Sequence, residues 1–117
     1  MTDEEQQNID TILNFFAAWN EKNASKVTSF FAEEARWSVG PIGKAPEPKR
    51  PDFTGLIEAA SHINLTVIPG SVWARGGVVA LELKDDIVLP GKKIDGTFVV
   101  IFTIKERRIV DFIEFIK

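Results

Sequence analysis

The sequence predicts an α+β domain, with N-terminal helices packed on a strongly curved antiparallel sheet that encloses an apolar pocket. Three observations predict it. Apolar residues recur at helical spacing near the N-terminus, starting at Ile9 and Ile12. From Leu65 onward the pattern becomes that of strands joined by short turns. Helices come first and strands after, with no strand–helix–strand alternation, which places the helices on one face of one sheet. The absence of a linker or an internal repeat assigns residues 1–117 to a single domain.

Thr2 or Asp3 is expected to cap the first helix, and Glu4 and Glu5 suit its positive end. Ile9, Ile12, Leu13, Phe16 and Ala17 form its apolar stripe, widened by Phe15 and Trp19. The helix is expected to end near Asn23. Ser25 is then a cap for a short second helix carrying Val27, Phe30 and Phe31. Ala35 to Val39 reads as a short strand. Residues 40–55 hold four of the six prolines and read as a loop, expected to rim the pocket. A short helix is expected from Leu56 to about His62. Four strands follow: Leu65–Ala74, Val78–Leu89, Ile94–Ile104 and Arg107–Ile116. Their short connections imply antiparallel neighbours.

Strand alternation sorts side chains onto faces. On Val78–Leu89, one face carries Val79, Leu81, Leu83, Asp85 and Ile87, so Asp85 is the one charge on an apolar face. On Arg107–Ile116, Val110, Phe112, Glu114 and Ile116 share a face, opposite Ile109, Asp111, Ile113 and Phe115. A strand apolar on both sides needs a second cover, and a homodimer is expected to supply it.

Composition excludes several classes of function. The net charge is −3, and the denser basic stretches, Lys105–Arg108 and Lys92-Lys93, fall in expected turns. That pattern suits solvated turns and not a nucleic-acid partner. With no cysteine and one histidine, thiolate zinc sites and multi-histidine metal sites are excluded, and no cofactor is expected. The polar, acidic N-terminus does not read as a targeting segment, and no apolar run suits a membrane span. These features suit a cytoplasmic protein.

The segments Phe16-Ala-Ala-Trp19 and Phe30-Phe-Ala-Glu-Glu-Ala-Arg-Trp37 resemble the opening of the limonene epoxide hydrolase-like and SnoaL-like polyketide cyclase proteins. The order of helices, Pro-rich loop, Gly55, short helix and long hairpins is similar over essentially the whole chain. The resemblance implies the cone-shaped, cystatin-like fold of ketosteroid isomerase and nuclear transport factor. It also implies site residues. The family's strand motif Glu-Arg-x-Asp corresponds to Glu82-Leu83-Lys84-Asp85, with Asp85 on the acid position and Leu83 in place of the Arg. The family's final Trp-Arg-Asp-Tyr corresponds to Phe112-Ile113-Glu114-Phe115, with Glu114 on the position that activates water. The Tyr and Asn that help hold the water fall near Trp37 and Val39 and are lost. The base position of the ketosteroid isomerases falls in Ala35-Arg-Trp-Ser-Val39, which offers Ser38 and no carboxylate, and the chain has no Tyr.

The expected function is therefore binding of a small apolar molecule. Asp85 and Glu114 are the candidate catalytic pair for epoxide hydrolase-like or isomerase-like chemistry. Trp19, Trp37, Leu83 and Phe112 are the candidate pocket lining. A non-catalytic ligand-binding or dimerisation module of the same fold is the alternative. His62, at the end of the short helix, suits a helix C-terminus. Arg36 and Arg75 are candidates to replace the missing cation.

Overall fold

The computed structural model describes residues 2–41, Glu58, 65–89 and 92–116, with side chains described for residues 2–38, 58, 68–84 and 99–115. Thr2 caps helix α1 (Asp3–Asn20). Its hydroxyl accepts from the Glu5 N–H at 3.1 Å, and Glu5 Oε1 accepts from the Thr2 N–H at 2.8 Å. This reciprocal capping box satisfies two amides that the first helical turn leaves orphaned. The helix ends earlier than its spacing suggests, because Lys22 adopts a left-handed conformation with φ 60°. Asn23, rather than Ser25, caps α2 (Ala24–Ser29), its side chain accepting from the Lys26 N–H at 3.1 Å.

Phe31 is not helical. It opens β1 (Phe31–Pro41), which is longer than the expected Ala35–Val39 and takes in Gly40 and Pro41. Four strands follow: β2 (Leu65–Arg75), β3 (Val78–Leu89), β4 (Lys92–Lys105) and β5 (Arg108–Ile116). Glu58 is helical. The rest of the helix expected from Leu56, His62, and the Pro-rich loop beyond Pro41 lie outside the described residues.

The five strands form one open sheet in the order β1-β5-β4-β3-β2. Three pairings are antiparallel, as expected, but β1 runs parallel to β5. The sheet is thus mixed. A parallel neighbour needs a long crossover, here residues 42–107, so no short turn in the sequence could signal it. Pro69 lies on β2, an edge strand, where its missing N–H breaks no ladder between two neighbours.

Helix α1 lies on the sheet and touches β2 and β3. Phe15 is the hub between the layers. Its ring sits 5.0–6.5 Å from those of Phe16, Trp19, Phe30, Phe31, Phe102 and Phe112, mostly edge to face. Such geometry adds to the gain from burial. Ile12, Val27, Val79, Leu81, Val100 and Ile109 are fully buried in the same core. At its start α1 is tied to the β2–β3 turn: Glu5 Oε2 accepts from the Gly76 N–H at 2.8 Å, and Asn8 donates to the Gly76 carbonyl at 3.2 Å. Gly76 has φ 57°, and a Cβ on Gly77 would stand 2.8 Å from the Ile104 carbonyl oxygen, so the turn requires both glycines.

Candidate functional site

The face of the sheet that packs on α1 reads as rows across the strands. One row runs Trp37, Phe112, Phe102, Val79, Ala74. The next runs Val39, Glu114, Val100, Leu81, Val72. Leu83 follows, opposite Phe98, and then Asp85, between Val67 and Gly96. All the candidate sheet residues therefore occupy strand positions on this inner face.

A bulge corrects one assignment on β5. Ile104 pairs with Ile109 and Thr103 with Asp111, so Val110 is the extra residue. Ile109, fully buried, joins Phe112 and Glu114 on the inner face, in the place expected of Val110. A strict period of two fails there because the inserted residue shifts the alternation by one.

The structure brings Trp37 and Phe112 together. Their rings stack with centroids 6.2 Å apart at 18°, and Phe112 in turn stacks on Phe102 at 4.8 Å and 3°. Trp37 is half-buried, and its indole nitrogen is buried with no hydrogen-bond partner among the described residues. Leu83 is buried within the core cluster. Trp19 packs on Phe15 at 6.3 Å from the last turn of α1. Glu114 is half-buried between valine positions on both neighbouring strands.

Asp85 and Glu114 are not close neighbours in the ladder. They lie two strands apart, and their β4 partners, Gly96 and Val100, lie four residues apart. On a flat sheet that spacing puts their Cα atoms about 16 Å apart, before curvature is counted. Neither candidate cation reaches this face. Arg36 pairs with Asp111 and Arg75 with Val78, and both arginines are exposed on the outer face. Asp111 is also an outer-face residue, and its carboxylate accepts from the Phe112 N–H at 3.0 Å.

Two surface hollows lie elsewhere. One, of about 310 Å³, lies beside the irregular start of β1 and is lined by Glu33, Glu34, Lys105 and Arg108 among others. The other, of about 290 Å³, runs along α1 to Arg107. Neither touches a candidate residue. Among the described residues no cluster of metal-ligating side chains forms, and no helix is long and apolar enough to cross a membrane. Asn8, buried and tied to the β2–β3 turn, was missed by sequence reasoning, although it lies one turn before Ile12 on the apolar stripe.

Comparison with known proteins places these features in a wider set. The sequence model of the SnoaL-like domain matches residues 12–112. No curated protein gives a significant match. Among solved structures, the epoxide hydrolase/cyclase-like enzyme SalBIII, of pyran ring formation in the polyether salinomycin, superposes with a TM-score of 0.79 at 22% identity, over 99% of this chain and 95% of that one. An LEH-like epoxide hydrolase of M. tuberculosis gives 0.78 at 14% identity, over 97% and 85%. An NTF2-like protein of unknown function from Burkholderia pseudomallei gives 0.75 at 15% identity, over 95% and 91%. At such identities the likeness establishes the fold.

Proposed function

Because the chain belongs to the SnoaL-like domain family, we propose that it binds a small, largely apolar molecule against the inner face of its sheet and acts on it by cofactor-independent acid–base chemistry. The observation that carries this reading is Glu114, a carboxylate kept half-buried among mostly apolar neighbours on the inner face. An apolar side chain at that position would pack without the cost of desolvating a charge. The likeness to an epoxide hydrolase/cyclase-like enzyme and to an LEH-like epoxide hydrolase supports the reaction class.

In that chemistry Glu114 takes a proton from water, and the water oxygen bonds to a ring carbon of an epoxide. The carbon–oxygen bond of the ring breaks as Asp85 gives its proton to the departing oxygen. Their separation in the ladder means that the two carboxylates meet opposite ends of the bound molecule and its water, not one shared atom. Curvature of the sheet must close the remaining gap. The test is turnover of a panel of lipophilic epoxides and enolisable ketones by the wild type, Asp85→Asn and Glu114→Gln. Loss of about 10²–10⁴-fold in each variant is expected. Wild-type rates in both folded variants would defeat the pair.

A second reading, a ligand-binding module without catalysis, has its own support. Leu83, where the epoxide hydrolases keep an Arg, is buried in the core cluster, and the two candidate cations, Arg36 and Arg75, face outward. Measurable affinity for the panel with no turnover of any member would favour it.

We also propose that a second copy of the chain covers the outer face. Trp73, Ala80, Ile101 and Ile113 form an apolar row there, continued by Val99 and Phe115. Trp73 is 54% exposed and Val78 42%. Arg75 and Asp111 lie in the adjoining row, so a two-fold pairing sets opposite charges across the interface. Five strands about 4.8 Å apart, with about 25 Å of strand length, offer roughly 600 Å² per copy. That total, about 1,200 Å², is at the low end for a stable pair. Sedimentation showing a dimer at micromolar concentration, weakened by Ile101→Lys, is expected. A monomer under those conditions would refute it.

A further inference from the structure

We infer that the indole N–H of Trp37 is a hydrogen-bond donor to the bound molecule, which presents to it a neutral acceptor oxygen (a ketone, ester or ether) on a cyclic apolar body. The inference rests on the reading that the inner face holds a ligand. It starts from one orphaned group. The Trp37 indole nitrogen is shut off from solvent and has no acceptor among the described residues. An indole N–H can only donate, and buried tryptophans usually find a partner for it. Leaving such a donor unsatisfied is costly, and a ligand oxygen removes that cost.

Among the described residues the surroundings supply no acceptor, and they fix the ring. Ser38, the next residue, is buried and turned to the opposite face beside Ile113. Glu114 stands one row away on the adjacent strand and does not accept from this donor. The ring is stacked on Phe112, which is stacked on Phe102, so three aromatic side chains on three neighbouring strands hold the donor in place. A group locked by its neighbours before the ligand arrives loses little freedom on binding.

The same surroundings select the ligand. Phe15 covers Phe102 and Phe112, and the half-buried Trp37 ring at the end of the stack offers a flat apolar surface that suits a cyclic skeleton. Glu114 places a carboxylate on the face one row from the donor, so an anionic oxygen is disfavoured there. A neutral oxygen meets both conditions. Phenylalanine at this position keeps an aromatic ring on Phe112 and deletes the donor; the lost ring area acts on a ketone and its parent hydrocarbon alike, so the difference between the two isolates the hydrogen bond.

The probes are a matched pair, 1-tetralone and tetralin, which share a carbon skeleton and differ by the ketone oxygen. Titration of the ¹⁵N-labelled full chain follows the Trp37 indole resonance, assigned by triple-resonance spectra, and affinities are measured for wild type and Trp37→Phe. The expected result is a downfield shift with 1-tetralone that tetralin does not produce. Trp37→Phe should weaken 1-tetralone by about three- to tenfold, the worth of one neutral hydrogen bond, and leave tetralin within about twofold. If both probes bind and Trp37→Phe weakens them equally, or the indole resonance responds alike to both, the donor role is overturned while the ligand-binding face stands. If neither probe binds, the ligand-binding reading fails and the donor role with it. Should Trp37→Phe not fold, the wild-type resonance decides.

Discussion

The β4–β5 turn stores strain that a double substitution should release. Lys105 pairs with Arg108, leaving Glu106 and Arg107 as a two-residue loop. Both adopt the left-handed conformation, with φ 52° and 64°. That backbone matches the twist of the flanking strands, but it favours Asn-Gly over two long charged residues. Left-handed backbone costs an ordinary residue at least about 1 kcal/mol, so the pair carries about 2 kcal/mol. Glu106→Asn with Arg107→Gly removes most of it. The added glycine restores freedom to the unfolded chain and takes back about 1 kcal/mol. The net expectation is a gain of about 1 kcal/mol, or a rise in Tm of about 4 °C for a domain of this size. Urea unfolding with an unchanged slope measures it directly. A midpoint equal to or below that of the wild type would refute the strain argument.

Glu5 joins the helix start to the β2–β3 turn, and its pKa is lowered from 4.5, first by the Thr2 amide and then by the Gly76 amide. A carboxylate lowered in the folded state contributes stability above its unfolded pKa and loses it as pH falls through the folded one. The stability difference between wild type and Glu5→Gln should therefore be constant near neutrality and shrink below about pH 4.5, as read by thermal melts across pH. Phe15→Ala removes the hub of six ring contacts at a buried position and should cost about 3–5 kcal/mol in denaturant unfolding. That is a large share of the stability of a domain this small.

The local signals in the sequence carried the fold a long way. The stripe from Ile9 to Phe16 marks the buried face of α1 because helical geometry repeats every 3.6 residues, and the Gly76-Gly77 turn fixes the β2–β3 register at Arg75 and Val78. The parallel pairing of β1 with β5 was not legible, since it joins Phe31 to Ile109 with no local turn to announce it. Nor was the β5 bulge: an apolar Ile109-Val110 pair reads equally well in either register, and only the partner strand decides. The same ambiguity explains why Phe31 read as helix, when the chain leaves α2 at Phe30 and its carbonyl accepts from the Ile109 N–H at 2.9 Å. Of the candidate site, the common inner face of Leu83, Phe112 and Glu114 followed from alternation, while the stacking of Trp37 on Phe112 depended on the unseen parallel pair.

The most direct measurement of the central claim is a crystal structure of the protein with a bicyclic epoxide or ketone diffused into it. The account predicts the molecule against the inner face of the sheet, in contact with the Trp37 ring and within reach of Glu114. A molecule found only on the outer face, or only in the charged hollow beside Glu33, Glu34 and Arg108, would contradict it.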